Sequence, residues 1–295
     1  MADAWRLKER RNGMGDLKNK RIIAVAPTGA WTTKEHNPSV PIEPEEIAEE
    51  VYNCWKEGAA IAHIHIRNDE GKSAMDFHKF EKTVALIRAK KDCDVVLNLT
   101  TSGGFGLPDE VRIMPFYVLK PEMASLDCGT MNWLHKTVFE NTPMFLEKLG
   151  SKMQEVNVKP EIEVFDPGMI YNAQYYLKKG ILKAPLHFQF CMGCPGGIAA
   201  TAKNLVFMHG CMREVAPGST WSAFGVGAKA MEILYATVAM GGHVRVGMED
   251  NVFYKKGILA KNNMVFVALA RRVIEEFGAE TATPDEAREI LGLKR

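Results

Sequence analysis

Short apolar runs alternate along this chain with longer amphipathic segments, and the alternation continues to the C-terminus. Runs of strand length that are bounded by Gly, Pro, Asp or Thr predict buried strands, whereas apolar residues at helical spacing predict helices. The pattern predicts eight strands: Arg21–Ala26, Ala60–Ile66, Asp94–Thr100, Met123–Cys128, Glu161–Phe165, Leu186–Phe190, Thr220–Val226 and His243–Gly247.

Helices are predicted between these strands. Strands that alternate with helices require right-handed crossovers, and eight such units favour a closed barrel over an open doubly wound sheet. No G-x-G-x-x-G follows the first strand, which disfavours a dinucleotide-binding fold. We therefore predict one α/β domain over residues 21–295, a (β/α)8 TIM barrel, with an N-terminal extension Met1–Lys20. The predicted helices are Pro44–Lys56, Phe77–Ala89, Met144–Glu155, Ala228–Met240 and Asn262–Phe277, with a further helix beginning near Ala200 and a terminal helix Pro284–Leu291.

Composition narrows the class of protein. The 295 residues include 46% hydrophobic and 25% charged residues, and 37 Lys+Arg against 36 Asp+Glu leave a net charge of +1. This balance gives no electrostatic case for binding nucleic acid. No apolar run is long enough for a membrane span, and the polar N-terminus has no signal-peptide core, so we expect a cytoplasmic protein. The six cysteines are too sparse for a disulfide scaffold.

The active site of a TIM barrel lies at the C-terminal ends of its strands, so polar residues there are candidates for chemistry. His63-Ile-His65-Ile-Arg67 ends the second predicted strand. Because side chains alternate along a strand, His63 and His65 point to the same face. Two imidazoles on one face could bind a metal ion, although two hydrogen-bonded interior histidines would give the same pattern.

A second cluster follows the eighth strand, where Arg245, Glu249 and Asp250 are closely spaced. Glu249 could complete a His₂Glu group with an open fourth position, as in catalytic zinc sites. The alternative is a solvated loop of charges. Because buried unpaired charge is costly, we expect the acids to be paired or used, and an Arg245–Asp250 pair would satisfy both groups.

Small polar residues end three further strands. Glycines and hydroxyls in Thr100–Gly104 and Asp127–Asn132 could donate to a ligand carboxylate or phosphate, or could be ordinary loop chemistry. Gly193-Cys-Pro-Gly196-Gly197 could contact a bulky second substrate, or could be a tight turn. Cys191-Met-Gly-Cys194 has the spacing of redox or zinc sites but lacks a second such pair.

Several motifs in one order resemble the zinc-dependent β-keto acid cleavage enzymes, whose type activity is 3-keto-5-aminohexanoate cleavage. The resemblance extends from about Lys20 onward. It is carried by Gly29-Ala-Trp-Thr-Thr-Lys-Glu-His-Asn-Pro38, His63-Ile-His65-Ile-Arg67, Thr101-Ser-Gly-Gly104, Lys120-Pro-Glu-Met-Ala124, Pro160-Glu-Ile-Glu-Val-Phe-Asp166, Pro195-Gly-Gly197, Gly241-Gly-His-Val-Arg-Val-Gly-Met-Glu-Asp-Asn251 and Ala282-Thr-Pro-Asp-Glu-Ala-Arg288.

The resemblance implies a TIM barrel that converts a β-keto acid and acetyl-CoA into acetoacetate and a new acyl-CoA. It also implies a homo-oligomer such as a tetramer, and it assigns roles to individual positions. The implied zinc ligands are His63, His65 and Glu249, the implied acid/base pair is Asp250 with Arg245, and Thr101 and Thr130 fall where hydroxyl residues contact the substrate. To these we add Ser102, Gly104 and Trp31 as candidate substrate-binding residues, and Gly196 and Gly197 as a candidate CoA loop.

Trp31 departs from the family pattern, because members that act on amino-bearing substrates carry an acidic residue there. We expect an apolar substrate tail, or a quaternary ammonium held against the indole by a cation–π contact; alternatively, Trp31 only fills the pocket. Two other function classes remain open. A zinc aldolase or hydrolase on the same barrel would turn over without acetyl-CoA, and a binding protein would have lost the chemistry.

Overall fold

The computed structural model describes residues 17–294, and its centre is a closed barrel of eight parallel strands. Each strand pairs with the next strand in the chain and the eighth pairs with the first, so the order around the barrel is the order in the sequence. This confirms the predicted TIM barrel. The strands are β1 Ile23–Val25, β2 Ile61–Ile64, β3 Val96–Leu99, β4 Met123–Asp127, β5 Lys159–Val164, β6 His187–Met192, β7 Thr220–Gly225 and β8 His243–Val246.

Helices connect and surround these strands. Within residues 17–294 they are α1 Pro44–Glu57, α2 Phe77–Arg88, α3 Asp109–Leu119, α4 Pro143–Glu155, α5 Pro167–Lys178, α6 Ala202–Val215, α7 Ala230–Ala239, α8 Met264–Glu276 and α9 Pro284–Leu291, with a 3₁₀ turn Gly227–Lys229 before α7. Three antiparallel hairpins project from the barrel: Ile66–Arg67 with Ser73–Ala74, Met131–Trp133 with Thr137–Phe139, and Phe253–Lys255 with Ile258–Leu259.

Local signals explain the helix boundaries that the sequence predicts well. α1 begins with Pro44 after a capping box at Glu43 and ends at Glu57, where it is followed by Gly58, whose φ of 118° only glycine adopts readily. The sequence pattern did not predict α3 and α5. Pro115 lies inside α3, where a proline normally signals a helix end, and α5 exposes Tyr171 and Tyr175, which blurs its apolar period.

The N-terminal face of the barrel is closed by apolar packing. Strand-end residues such as Ile22, Ile61 and Val96 form one buried cluster with Ala287 and Leu291 of α9. Beside this cluster, Lys20–Arg21 pairs in parallel with Glu280–Thr281. Residues 1–16 of the predicted extension Met1–Lys20 lie outside the described residues. Among residues 17–294, no helix combines the length and the apolar character that crossing a bilayer would require.

The interior of the barrel above this cluster is unusually polar. TIM-barrel interiors are normally filled by branched apolar side chains. Here Asn98 of β3 donates a hydrogen bond of 2.6 Å to Glu161 of β5, and Ser222 of β7 donates one of 2.8 Å to Gln189 of β6. Because β3 and β5 are not neighbours, the Asn98–Glu161 contact crosses the barrel interior. The strands therefore bring polar side chains together beneath the C-terminal face.

His243 is held neutral near the start of β8. Its Nδ1 accepts a hydrogen bond of 3.1 Å from the backbone N–H of Ile22. Burial, assisted by the charge of Arg21, lowers the pKa of His243 to about 3. An unfolded histidine titrates near ~6.5, so the folded state disfavours the proton. The stability that depends on the neutral ring is present above about pH 6.5 and is lost as the pH falls toward the folded pKa.

We expect His243→Asn, which keeps an acceptor near the position of Nδ1, to make folding less sensitive to acid. Between about pH 7 and about pH 5, the free energy of unfolding of the native protein should fall by roughly 2 kcal/mol more than that of the variant. Urea unfolding at a series of pH values measures this difference. His78→Asn, on the exposed surface of α2, is the matched control and should follow the native curve. Parallel curves for the native protein and His243→Asn would contradict the expectation.

Candidate active site

A cavity of about 380 Å³ opens at the C-terminal ends of the barrel strands. Its inner wall is charged and includes His65 after β2, Asp127 of β4, and Arg245 and Glu249 from β8 and the loop after it. Its outer wall is mainly aromatic. The candidate residues from the two ends of the sequence therefore meet in one place, as the active site of this fold requires.

His63, His65 and Glu249 form the group that could hold a metal ion. Their ligand atoms lie within 4.8 Å of one another. Glu249 Oε1 is 3.5 Å from His65 Nε2 and 3.9 Å from His63 Nε2. Burial, followed by the charge of Arg245, lowers the pKa of His63 and brings that of His65 to about 3, so both rings are neutral, as metal ligands must be.

The chemistry of this group fits a divalent cation. Glu249 Oε2 is buried and has no hydrogen-bond partner among residues 17–294, which leaves a carboxylate oxygen to be satisfied. Two imidazoles and one carboxylate are the ligand types that zinc accepts with an open fourth position. Within residues 17–294, the groups that could hold a metal contain only His and Glu, so Cys191 and Cys194 are not among them. Both thiols are buried, and neither forms a disulfide bond.

Arg245 compensates the acids around this group. Its Nε and Nη2 each donate a 2.9 Å hydrogen bond to Asp250, so the predicted Arg245–Asp250 pair is present. Nη2 also lies 2.6 Å from Glu249 Oε1, and Nη1 lies 3.3 Å from Glu163 Oε1. One guanidinium thus faces three carboxylates.

Burial shifts the pKa values of these acids upward. It raises the pKa of Asp250 to about 6, against the opposing attraction of Arg245. It also raises the pKa of Glu249 and, with repulsion from Asp127, that of Glu163 well above its usual range. Perturbed carboxyl groups beside a cavity are typical of catalytic sites, where they are poised to exchange protons near neutral pH.

Gly29 allows Glu249 to lie where it does. Its φ is +66°, and a Cβ on this residue would lie only 2.3 Å from Glu249 Cγ. Any other residue at position 29 would displace the carboxylate from the two histidines. The glycine of the first sequence motif and the acid of the seventh are therefore parts of the same site.

Comparison with known proteins identifies the family. The family model described as beta-keto acid cleavage enzyme matches residues 20–293. The chain belongs to the β-keto acid cleavage enzyme family. It is 46% identical to a 3-keto-5-aminohexanoate cleavage enzyme of Fusobacterium nucleatum, over 95% of this chain and 100% of that protein. It is 36% identical to a 3-dehydrocarnitine:acetyl-CoA trimethylamine transferase of Rhizobium meliloti, over 95% of this chain and 98% of that protein.

Among solved structures, the apo structure of ObcA has a TM-score of 0.79 at 20% identity, over 87% of this chain and 66% of that chain. At this identity the likeness concerns the fold alone. The family resemblance expected from the sequence motifs is confirmed, and with it the enzyme class, acyl transfer that cleaves β-keto acids.

The residues expected to bind substrate divide into two sets in this β-keto acid cleavage enzyme. Trp31, Ser102 and Gly104 line the cavity. Thr101 and Thr130 are not among the lining residues. The Thr101 hydroxyl donates to the Ser125 carbonyl at 3.1 Å, and the Thr130 hydroxyl accepts a 2.8 Å hydrogen bond from the Asn141 N–H.

The loop expected to bind CoA lies at the rim of the cavity. Cys194 and Pro195 line the cavity, and Gly196 and Gly197 follow them directly. A Cβ on Gly196 would lie 1.6 Å from the Asn132 carbonyl oxygen, and its φ is +104°. This glycine therefore lets the loop press against the hairpin Met131–Phe139 that carries Trp133.

The structure adds residues that the motifs did not single out. Glu163 and Asp127 reach the charged wall, and Ser102 Oγ contacts the Asp127 carboxylate. The alternation in Glu161-Ile-Glu163 is the same signal as in His63-Ile-His65 and could have revealed Glu163. The outer wall could not be found in this way, because its rings come from one hairpin and from loops far apart in the chain. The neighbouring ring centroids of Trp31, Phe105, Trp133, Phe139 and Phe165 lie 5.2 to 6.4 Å apart.

Arg67 fixes the loop that carries Trp31. The side chain is 1% exposed and donates hydrogen bonds to backbone carbonyls of Gly29, Thr32 and Thr28 at 2.8, 2.7 and 3.2 Å. A further bond of 3.0 Å reaches the Gly71 carbonyl. The planar guanidinium satisfies all of these acceptors at once, which a lysine ammonium cannot do.

We expect Arg67→Lys to lower the free energy of unfolding by about 3 kcal/mol, because buried carbonyls lose charged donors. Urea unfolding measures this loss. Arg272→Lys is the matched control, since Arg272 is exposed on α8 and pairs only with Glu276 at 3.5 Å among the described acids; it should change stability by less than ~0.5 kcal/mol. Equal effects of the two substitutions would show that the Arg67 bonds do not hold this loop.

Proposed function

We propose that this protein is a zinc-dependent enzyme that condenses a β-keto acid with acetyl-CoA and yields acetoacetate and a new acyl-CoA. The observation that carries the proposal is that the Arg245 guanidinium holds the Asp250 carboxylate in two 2.9 Å hydrogen bonds and also contacts Glu249 of the His63–His65–Glu249 group. A candidate base and a candidate metal site that share this partner on the wall of one cavity support the proposed reaction. The acetyl-CoA named for the Rhizobium meliloti relative supports the choice of second substrate.

His63, His65 and Glu249 would hold the zinc ion and leave a fourth position for the keto acid. When bound, zinc would polarise the oxygens of the keto acid and lower the cost of negative charge on them. The identity of the metal is part of the proposal, since iron or manganese could compete for the same ligands.

Asp250 is the proposed general base. It would accept a proton from the carbon between the carbonyl and the carboxylate of the keto acid. The two Arg245 hydrogen bonds orient the carboxylate, and its pKa of about 6 suits proton exchange near neutral pH. The low exposure of Arg245, 4%, keeps water from weakening this pair.

The remaining steps balance as an acyl exchange. The carbanion would attack the acetyl carbonyl and expel the CoA thiolate. The thiolate would then attack the original keto carbon, the carbon–carbon bond would break, and acetoacetate would leave once its carbanion carbon regained the proton from Asp250. We propose that Ser102, Gly104 and Trp31 contact the keto acid, with Thr101 and Thr130 supporting these loops, and that the loop of Gly196 and Gly197 faces CoA.

Two other functions stay as alternatives. A zinc aldolase or hydrolase would use the same metal and base, but would turn over without acetyl-CoA. A binding protein would need no base beside a metal, and the paired Asp250 argues against it. The cytoplasmic location and the homo-oligomeric state that we expect from the sequence are proposals of the same kind.

We expect acetoacetate release from at least one β-keto acid of a panel to depend strictly on acetyl-CoA, with about one zinc per chain in the same sample. Removing the metal with a chelator should abolish turnover, and adding zinc should restore it. A coupled assay for acetoacetate together with metal analysis measures both. Turnover without acetyl-CoA would favour the aldolase or hydrolase, whereas no turnover by zinc-loaded protein on a broad panel would favour a binding role.

Trp31 is the proposed determinant of the substrate tail. The indole is 48% exposed and lies 5.2 Å from Phe105 and 6.0 Å from Trp133, measured between ring centroids. An aromatic wall suits an apolar tail, and it also suits a quaternary ammonium through cation–π contact. A primary ammonium, by contrast, would lack a carboxylate partner at position 31.

We expect Trp31→Glu to shift the ratio of kcat/KM between an apolar-tailed and an amino-tailed keto acid by about tenfold toward the amino tail, as a change of about 1.4 kcal/mol would produce. Trp31→Phe is the control and should keep the native ranking, because it retains the aromatic face. Steady-state kinetics on the two substrates measures the ratio. An unchanged ranking in Trp31→Glu would mean that Trp31 only fills the pocket.

A further inference from the structure

Glu161 is a fully enclosed carboxylate at the middle of the barrel. It is 1% exposed, and its neighbours come from three other strands. Oε2 accepts the 2.6 Å hydrogen bond from Asn98 and lies 3.6 Å from His63 Nδ1, while Oε1 lies 4.0 Å from His187 Nε2. None of the catalytic steps proposed above uses this group. Burying an ionised carboxylate costs free energy, so the groups around Glu161 should show which charge or proton donor it interacts with.

The two ring nitrogens of His63 face different groups, Glu161 on one side and the rest of the candidate metal group on the other. Nε2 faces Glu249, whereas Nδ1 is buried, faces Glu161 and has no hydrogen-bond partner in the described part of the chain. If Nε2 binds a cation, the ring proton must reside on Nδ1, where it needs an acceptor. His65 differs, because no carboxylate other than Glu249 lies within 4.0 Å of it among residues 17–294.

We infer that Glu161 is a positioning residue, which accepts the Nδ1 proton of His63 and so fixes the ring with Nε2 toward Glu249. The inference rests on the proposed metal site, and it assigns a role to a residue that touches neither substrate nor metal. Carboxylates behind ligating histidines commonly fix the ring tautomer and raise the basicity of the ligand. Asn98 in turn orients the Glu161 carboxylate.

A competing arrangement uses the same residues. His63, Glu161 and Glu163 also have ligand atoms within 4.8 Å of one another, so they could surround a cation below the first site. One contact argues against this arrangement. The Asn98 amide already donates a 2.6 Å hydrogen bond to Glu161 Oε2, the oxygen that also faces His63 Nδ1, and a cation there would lie against this donor, which repels it. Arg245 does not distinguish the two arrangements, because it lies 3.3 Å from Glu163 and 2.6 Å from Glu249.

The test is Glu161→Gln in the full chain, with zinc affinity measured by competition against a chromophoric chelator. We expect zinc binding to weaken by about 10- to 100-fold while the stoichiometry stays unchanged. Excess zinc should restore most of kcat, because the substituted residue does not touch the substrate. His187→Asn is the matched control, since His187 faces the other oxygen of Glu161; it should change zinc affinity by less than about threefold.

A second measurement does not depend on metal or activity. Long-range ¹H–¹⁵N NMR of the metal-free protein reports which nitrogen of His63 carries the proton. We expect the Nδ1–H tautomer in the native protein and a loss of that preference in Glu161→Gln. If Glu161→Gln does not fold, Glu161→Asp keeps the charge but shortens the side chain, and it should weaken zinc binding and the tautomer preference in the same direction.

The outcomes separate this inference from the proposed function. Unchanged zinc affinity and unchanged tautomer in Glu161→Gln would overturn the positioning role. A loss of one bound zinc per chain would also overturn it, because Glu161 would then be a ligand of the lower site. If the native protein binds no zinc, the proposed metal function fails, and the tautomer measurement still decides what Glu161 does to His63.

Discussion

The site depends on compensation of buried charge by Arg245. This guanidinium is enclosed at the end of the barrel, 4.3 Å from the centre of the Phe224 ring, and it faces Glu163, Glu249 and Asp250. Water cannot screen these groups, so each is stable only while its partners are in place. Arg245 lies on β8, and its partners come from β5 and from the loop after β8. Correct closure of the barrel is therefore a condition for assembling this cluster, and the Arg245–Glu163 contact in turn ties β8 to β5.

The need to compensate buried charge also explains why the apolar and the polar residues of the barrel interior lie toward opposite ends of the barrel axis. Apolar strand starts and α9 fill the N-terminal face, where they provide burial without polar atoms. Toward the C-terminal face, polar side chains such as Asn98, Glu161 and His63 replace the usual aliphatic layers. Hydrogen bonds such as that from Asn98 to Glu161 connect these polar groups across the interior and orient the Glu161 carboxylate behind His63.

The outer wall is built differently from the inner one. Its aromatic rings come from loops and from the hairpin Met131–Phe139, and Arg67 and Gly196 hold these segments in place through the backbone. The ring contacts of Trp31 are accordingly with Phe105 and Trp133, which also belong to this outer wall. This separation suits a family in which one reaction is applied to keto acids with different tails.

The sequence by itself determined the barrel and the candidate site residues that the second and the eighth strand contribute. Strand and helix periods reflect local burial, and they predicted the eight strands to within a few residues. The spacing of His63 and His65 is a local pattern, and so is the spacing of the charged residues Arg245 and Asp250. The shared face of the two histidines and the Arg245–Asp250 ion pair were therefore predictable. Only the tertiary structure decided that Glu161 faces His63, that Glu163 reaches Arg245 and that five aromatic rings share one wall. These contacts join strands and loops that are distant in the chain, and barrel closure sets their distances, whereas sequence periodicity reports only on which face of its own element a residue lies.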